Sequence, residues 1–334
     1  MSSGMPQAPR PAESLAALGP LPSVISAVGN TPLVPMRRVG AEYAGVQILA
    51  KLEYFNPGGS VKDRAARGML LDALDSGALD RRKTVIDSTS GNTGVAYAWI
   101  GAALGLRVAL VMPPNVSAAR KQIIGTYGAE IIFSDPMEGS DGAIRLVRQR
   151  VSEAPDRYFY PDQYSNPSNP LAHQRTTAQE IWRQTAGKVT HFVAGIGTSG
   201  TLVGTGRGLK AHNPSVRVIA VEPAESMHGL EGLKHMPSSL VPSIYRSFIE
   251  NGEQDEKLSI STDEGWEMAD RLLKEEGLLV GHSSGAAMVG ACLIAQRLAS
   301  RGEEGVVVTV FPDRADRYFE ISSRLSSPEK SFKW

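Results

Sequence analysis

Cysteine is nearly absent. Cys292 is the one thiol in 334 residues, so no intrachain disulfide can form. Its place in the helix-like run GAAMVGACLIAQRLA marks a small buried residue rather than a nucleophile, and a reducing cytoplasm suits such usage. Charge of one sign is absent too. The 35 basic and 35 acidic side chains cancel, which removes the net field that draws nucleic acid or an anionic membrane and leaves small molecules as the expected partners. Six histidines, at 173, 191, 212, 228, 235 and 282, form no H-E-x-x-H or other clustered ligand set, so no metal is expected. No apolar run is long enough for a membrane span. The richest, VAYAWIGAALGLRVALVM at 95–112, is interrupted by glycines and Arg107 and predicts a buried helix followed by a strand. Residues 1–20, rich in Pro, Ala and Ser, lack the basic-then-apolar order of a secretory signal and predict a flexible tail. Repeats, long charge runs and low-complexity tracts are missing.

What is present is size, apolar content and alternation. A chain of 334 residues that is 42% hydrophobic can bury a large core or two. Short β-rich runs recur: QILAKLE (47–53), TVIDS (84–88), RVALVM (107–112), EIIFS (130–134), HFVAG (191–195), RVIAVE (217–222) and VVVTVF (306–311). Helix-length segments such as VKDRAARGMLLDALDSG and SGNTGVAYAWIGAALG separate them. Alternating strands and helices predict an α/β protein whose mostly parallel sheet is covered on both faces. Ligands in such folds bind beyond the carboxyl ends of the strands. The turn-rich YPDQYSNPSNP (160–170) predicts a crossing between two domains.

Three strand-to-helix loops carry the chemistry. In the first, HFVA leads into GIGTSGT and then the helical LVGTGRGLKAH. The free N–H groups and positive dipole end of that helix welcome an anion. Glu222, about 20 residues on, completes a dinucleotide fingerprint, yet Thr198, Ser199 and Thr201 add hydroxyl donors that suit a phosphate monoester. Both ligands fit the loop.

The second loop is NPGGSVKDRAARGML (56–70). Ser60 reads as a helix N-cap with Asp63 as its capping-box partner, which places Lys62 in the first turn. A cation there opposes the dipole. An amine so disfavoured as ammonium can form a Schiff base with an aldehyde, and a solvated surface lysine also satisfies the pattern. The third loop, DSTSGNTGVAYA (87–98), sets Thr89, Ser90, Asn92 and Thr93 beside free helix N–H groups. That is a receptor for a carboxylate, or an ordinary capped turn with polar residues to spare. One assembly uses all three loops: a lysine for an aldehyde, a loop for its phosphate, and a loop for an amino acid's carboxylate. The cofactor bearing both aldehyde and monoester is pyridoxal 5'-phosphate.

NPGGSVKDR, TSGNTG, GIGTSGT and GHSSGAA, in this order, resemble the cysteine synthase (O-acetylserine sulfhydrylase) family of fold type II pyridoxal-phosphate enzymes, over about residues 29–319. The resemblance implies a tryptophan-synthase-β-like architecture of two three-layer αβα domains with the cofactor in the cleft between them. The larger, phosphate-binding domain would comprise 21–59 and 166–321, and the smaller, mobile domain 60–165, with a C-terminal tail at 322–334. It assigns the covalent amine and general base to Lys62. Asn92 would meet the phenolic oxygen, and Gly197, Thr198, Ser199, Gly200 and Thr201 the phosphate, with Ser199 a mild departure from the usual Thr or Gly. Ser283 would meet the pyridine nitrogen; the same residue also reads as a helix N-cap. Thr89, Ser90, Gly91, Asn92, Thr93 and Gln163 would hold substrate.

The reaction implied is β-replacement on an activated L-serine by sulfide or thiosulfate, giving L-cysteine or S-sulfocysteine, in a cytoplasmic homodimer. Residues 228–245 are similar to the thiosulfate-accepting branch, with Lys234 and His235 where two arginines are usual. Ala224 stands where relatives that use O-phosphoserine often place an arginine, which favours O-acetylserine. O-phosphoserine-dependent, cystathionine β-synthase-like and amine-using variants are the alternatives within the fold, and a nicotinamide dehydrogenase the alternative outside it. His282, next to Ser283, is placed either in the pocket or in a packed turn.

Overall fold

The computed structural model describes residues 23–318 except Ser90, and of Ser23 and Ser140 the backbone alone. The expected tails at 1–20 and 322–334 lie outside the described residues. In chain order the elements are α1 (Ser23–Ser26), β1 (Leu33–Pro35), β2 (Val46–Leu52), α2 (Lys62–Asp75), β3 (Thr84–Ser88), α3 (Asn92–Leu104), β4 (Arg107–Met112), α4 (Ala118–Thr126), β5 (Glu130–Phe133), α5 (Gly139–Glu153) and β6 (Tyr158–Phe159). There follow α6 (Ser168–Arg175), α7 (Thr177–Gln184), β7 (His191–Gly195), α8 (Gly200–His212), β8 (Arg217–Pro223), α9 (Ser243–Glu250), β9 (Glu256–Ile260), α10 (Thr262–Glu276), α11 (His282–Ser300) and β10 (Gly305–Phe311).

The strands form two sheets. One has six strands in the order β1-β2-β10-β7-β8-β9, parallel except for β1 against β2; the other has four parallel strands in the order β5-β4-β3-β6. Each sheet is buried on both faces, as the near-continuous Val, Ile and Leu runs require. In the four-stranded sheet Val85, Val108 and Leu110 pack toward α2 and α3, while Ile86, Ala109 and Val111 face α5. In the six-stranded sheet Ile48, Val193, Ile219 and Val307 pack toward α10 and α11, while Phe192, Val218 and Val308 face α7, α8 and α9. The period of two along each strand therefore sorts its side chains into two cores. The fold is α/β in αβα layers.

The apolar run at 95–112 becomes α3, almost wholly buried, and β4. Gly105 ends the helix in the left-handed region at φ 67°, where a Cβ is unfavourable. No helix among the described residues is long and apolar enough to cross a membrane.

In both sheets the chain order reverses at a switch point, β3/β6 in one and β7/β10 in the other. The loops leaving β3, β7 and β10 open at carboxyl ends beside those points. The loop leaving β2 brings in Lys62.

Candidate active site

A single cavity is lined by Lys62, Asn92, Gly197, Thr198, Ser199, Thr201, Glu231, Ser283 and Asp313, among others. It gathers the lysine, the glycine loop and the start of α3 from three separate stretches of sequence. A neighbouring cavity is lined by Ser88, Thr89, Gly91, Asp141, Gln163, Tyr164 and Lys234. Ser90 lies outside the described residues.

Lys62 is the first residue of α2, but the capping differs from the expected box. The N-cap position is Val61, in α conformation, with no side-chain cap. Ser60 Oγ accepts only weakly from Lys62 N, at 3.3 Å. The Asp63 carboxylate accepts instead from Gly58 N at 2.6 Å and from Trp99 Nε1 at 2.9 Å. The Pro-Gly-Gly turn folds back over the helix start and takes the acid that a capping box would have used. Burial lowers the Lys62 ammonium below its ordinary range, against the pull of the Asp313 carboxylate. Among the described residues no hydrogen bond holds Lys62 Nζ.

The glycine loop is tightly packed. Ser199 sits in the left-handed region at φ 68° and its buried Oγ has no partner among the described residues. A Cβ on Gly197 would come within 2.2 Å of Gly232 O, which fixes glycine there. Among the described residues no N-cap side chain satisfies the first turn of α8 or α3, and Gly200 N reaches Thr198 Oγ1 only at 3.5 Å, so most of these first-turn N–H groups are open to a ligand. Thr201 Oγ1 lies 3.3 Å from His173 Nε2, whose other nitrogen is 2.9 Å from Thr177 Oγ1. Burial and the Arg64 charge push His173 down to about 3, so it is a neutral support. Glu222 is engaged elsewhere: it pairs with Lys257 at 2.6 Å.

Asn92 opens α3 and is held from both ends. Its Nδ2 donates to Asp313 Oδ2 at 2.5 Å, and its Oδ1 accepts from Arg317 Nη1 at 2.6 Å. Thr93 Oγ1 donates to Gln163 Oε1 at 2.8 Å. Ser283 is buried in the second position of α11; Gly281, not Ser283, is the N-cap. His282 stacks on Trp266 at 4.2 Å between centroids and is lowered by burial, which is the packed-turn role. Lys234 lies over the Tyr164 ring at 5.0 Å, and burial lowers it against the pull of Asp141. His235 turns aside to Ser238 Oγ at 2.7 Å.

Sequence reasoning missed Asp313, Asn169 and His173. Asp313 is 2% exposed, with Oδ1 unpartnered among the described residues. Burial raises its pKa, against donors from Tyr318 and Asn92 and the charges of Arg317 and Lys62. The only signal was its place just past the carboxyl end of β10. Among the described residues, an amine and a buried hydroxyl without partners and two helix starts without a capping side chain together fit pyridoxal phosphate: a reactive aldehyde at one end and a dianion at the other.

The model of the family described as "Pyridoxal-phosphate dependent enzyme" matches residues 24–313. A cysteine synthase of Aquifex aeolicus is 51% identical over 299 residues, covering 89% of this chain and 90% of that protein. Among solved structures, a cysteine synthase of Entamoeba histolytica superposes with a TM-score of 0.85 at 34% identity, covering 99% of this chain and 96% of the other. An O-acetylserine-dependent cystathionine β-synthase of Helicobacter pylori gives 0.80 at 37% identity, covering 89% and 96%.

Proposed function

The chain belongs to the pyridoxal-phosphate-dependent enzymes, in their cysteine synthase branch, and from that premise we propose which residues do the work and which substrates they take. The activity is pyridoxal-phosphate-dependent β-replacement on a serine derivative by a sulfur nucleophile. The observation that carries the residue assignment is Lys62: a desolvated amine with no hydrogen-bond partner among the described residues, lining the same cavity as the glycine loop.

The phosphate is held by the backbone of 197–201 with Thr198, Ser199 and Thr201, and the phenolic oxygen by Asn92. Ser283 offers the pyridine nitrogen a neutral hydroxyl rather than a carboxylate. When bound, pyridoxal phosphate supplies an electron sink for the Cα–H bond. Thr89, Ser90, Gly91 and Thr93, with the first-turn amides of α3, take the substrate carboxylate, and Gln163 is oriented toward it by Thr93. Lys62 Nζ, whose ammonium form burial disfavours, takes the Cα proton as general base, holds it while the β-substituent leaves, and returns it after sulfur has added to Cβ. The unit from 60 to 165 closes over the bound carboxylate and keeps water from the reacting carbon. Arg120 of α4, 2.5 Å from Glu231, ties that unit to the loop after β8.

O-acetylserine is the proposed donor, because Ala224 supplies no cation for a phosphate leaving group. Sulfide or thiosulfate is the proposed nucleophile. Lys234, in the cavity of Gln163 and Thr89, suits an anionic one, although a lysine lacks the bidentate grip of arginine. A second reading, an organic thiol as nucleophile, is supported by the likeness to the O-acetylserine-dependent cystathionine β-synthase. The protein works as a homodimer in the cytoplasm, where its lone buried thiol needs no partner. The test is to give the holoenzyme O-acetylserine or O-phosphoserine separately, follow the cofactor absorbance, and then add sulfide, thiosulfate or homocysteine. Rapid change with O-acetylserine and discharge by an inorganic sulfur anion support the reading; response to O-phosphoserine alone contradicts it.

A further inference from the structure

We propose that Asn169 is a positioning residue that ties the loop holding the cofactor phosphate to the loop holding the substrate carboxylate, and so fixes the distance between the two anion sites. This rests on the roles given above to 197–201 and 89–93.

The connection is a chain of hydrogen bonds. Asn169 Nδ2 donates to Thr198 Oγ1 at 3.2 Å in the glycine loop and to Gln163 O at 2.7 Å. The side chain of the same Gln163 accepts from Thr93 Oγ1 at 2.8 Å. Asn169, Gln163 and Thr93 are buried, at 1%, 5% and 4% exposure, so water does not compete with the Asn169–Gln163 and Thr93–Gln163 bonds, while the bond to Thr198 is half-buried. Two protons on one nitrogen meet two acceptors from different loops. Aspartate has the same shape and offers none, and an aliphatic residue leaves Gln163 O without a donor.

The backbone is shaped to admit that amide. Gly200, Gly204 and Gly208 lie four apart on one face of α8. A Cβ on Gly200 would come within 1.9 Å of Asn169 Oδ1, and one on Gly204 within 1.9 Å of Pro170 O. The stripe therefore lets α6 approach closely enough for Asn169 to reach the first turn of α8. Gly200 is glycine for Asn169 as well as for a phosphate. The segment between the loops is itself braced: Asn166 Nδ2 donates to Pro161 O at 2.8 Å, and Asn169 N to Asn166 O at 3.1 Å.

The test uses Asn169→Asp, alone and combined with Thr93→Ala, with Thr201→Ala as a control. Two dissociation constants are read: pyridoxal phosphate for the apoprotein by fluorescence, and L-serine for the holoenzyme by cofactor absorbance. Asn169→Asp is expected to weaken both by about fivefold to tenfold, the worth of one buried hydrogen bond. With Thr93→Ala already present it should weaken L-serine binding far less than in the wild type, because the chain is broken at one point already. An unchanged L-serine constant, or additive effects of the two substitutions, overturns the proposal. Thr201→Ala separates the premises: if it leaves cofactor affinity unchanged, the phosphate assignment itself fails. If it weakens the cofactor while Asn169→Asp spares L-serine, the link fails alone. Should Asn169→Asp not fold, Asn169→Ser, which retains one donor, carries the same comparison.

Discussion

The Asn92 side chain is clamped between Asp313, 2.5 Å from its nitrogen, and Arg317, 2.6 Å from its oxygen. The guanidinium has only donors, so it fixes which end of the amide is the oxygen. The NH2 is then the end left near Asp313, at the wall of the cavity that contains Lys62.

Arg317→Met is therefore expected to weaken cofactor retention and shift the visible absorbance of the loaded protein, because the Asn92 amide can turn over. A hydrogen bond to a charged group is worth about 1.5–3 kcal/mol, so turnover should fall by about tenfold or more. Cofactor titration with the absorbance spectrum checks this.

Asp87 is buried next to the end of β3, beside the Tyr97 hydroxyl. Burial pushes its pKa from 3.8 up to about 7, against hydrogen bonds from Ser88 N and the Tyr97 side chain. The folded state thus binds the proton more tightly than the unfolded state does. Between pH 4 and 7 the unfolded chain carries fewer protons on this group, and stability falls as pH rises. The shift corresponds to roughly 4 kcal/mol of penalty above pH 7. Asp87→Asn should flatten this slope and raise the melting temperature at pH 8, measured by thermal unfolding across that range.

Two residues beyond Lys62, Arg64 enters a buried cluster with Glu53 at 2.6 Å and Glu180 at 2.7 Å, and Lys51 pairs with Glu180 at 2.7 Å. Two cations and two anions cancel. Burial alone would raise Glu180, but Arg64 and Lys51 hold it at about 2. Arg64→Met leaves a net buried negative charge and should cost about 3–5 kcal/mol. Lys274→Ala, which breaks the exposed pair with Asp270, should barely move the midpoint. Denaturant unfolding of both variants gives the comparison.

Most of the strands that sequence pattern revealed are buried parallel ones, although EIIFS also marked β5, a half-exposed edge strand. TVIDS, RVALVM and HFVAG match β3, β4 and β7 residue for residue, since burial on both faces leaves a continuous apolar signature. β1 and β6, with three and two residues, are too short for any period to register. β9, EKLSI, is an edge strand whose exposed Lys257 and Ser259 dilute its pattern. The loops at 56–70, 87–98 and 195–201 were legible because each lies in one contiguous turn at a helix start. Asp313, Asn169 and His173 act from other elements, and only tertiary packing brings them to the site. The Ser60–Asp63 box failed because a tertiary hydrogen bond from Trp99, together with the folded-back Gly58, captured the acid.

Borohydride reduction of the loaded protein, followed by peptide mass spectrometry, tests the central assignment most directly. The account predicts a pyridoxyl adduct on Lys62 and none on the Lys62→Ala variant. An adduct on a different lysine, or no adduct in a protein that turns over, would contradict it.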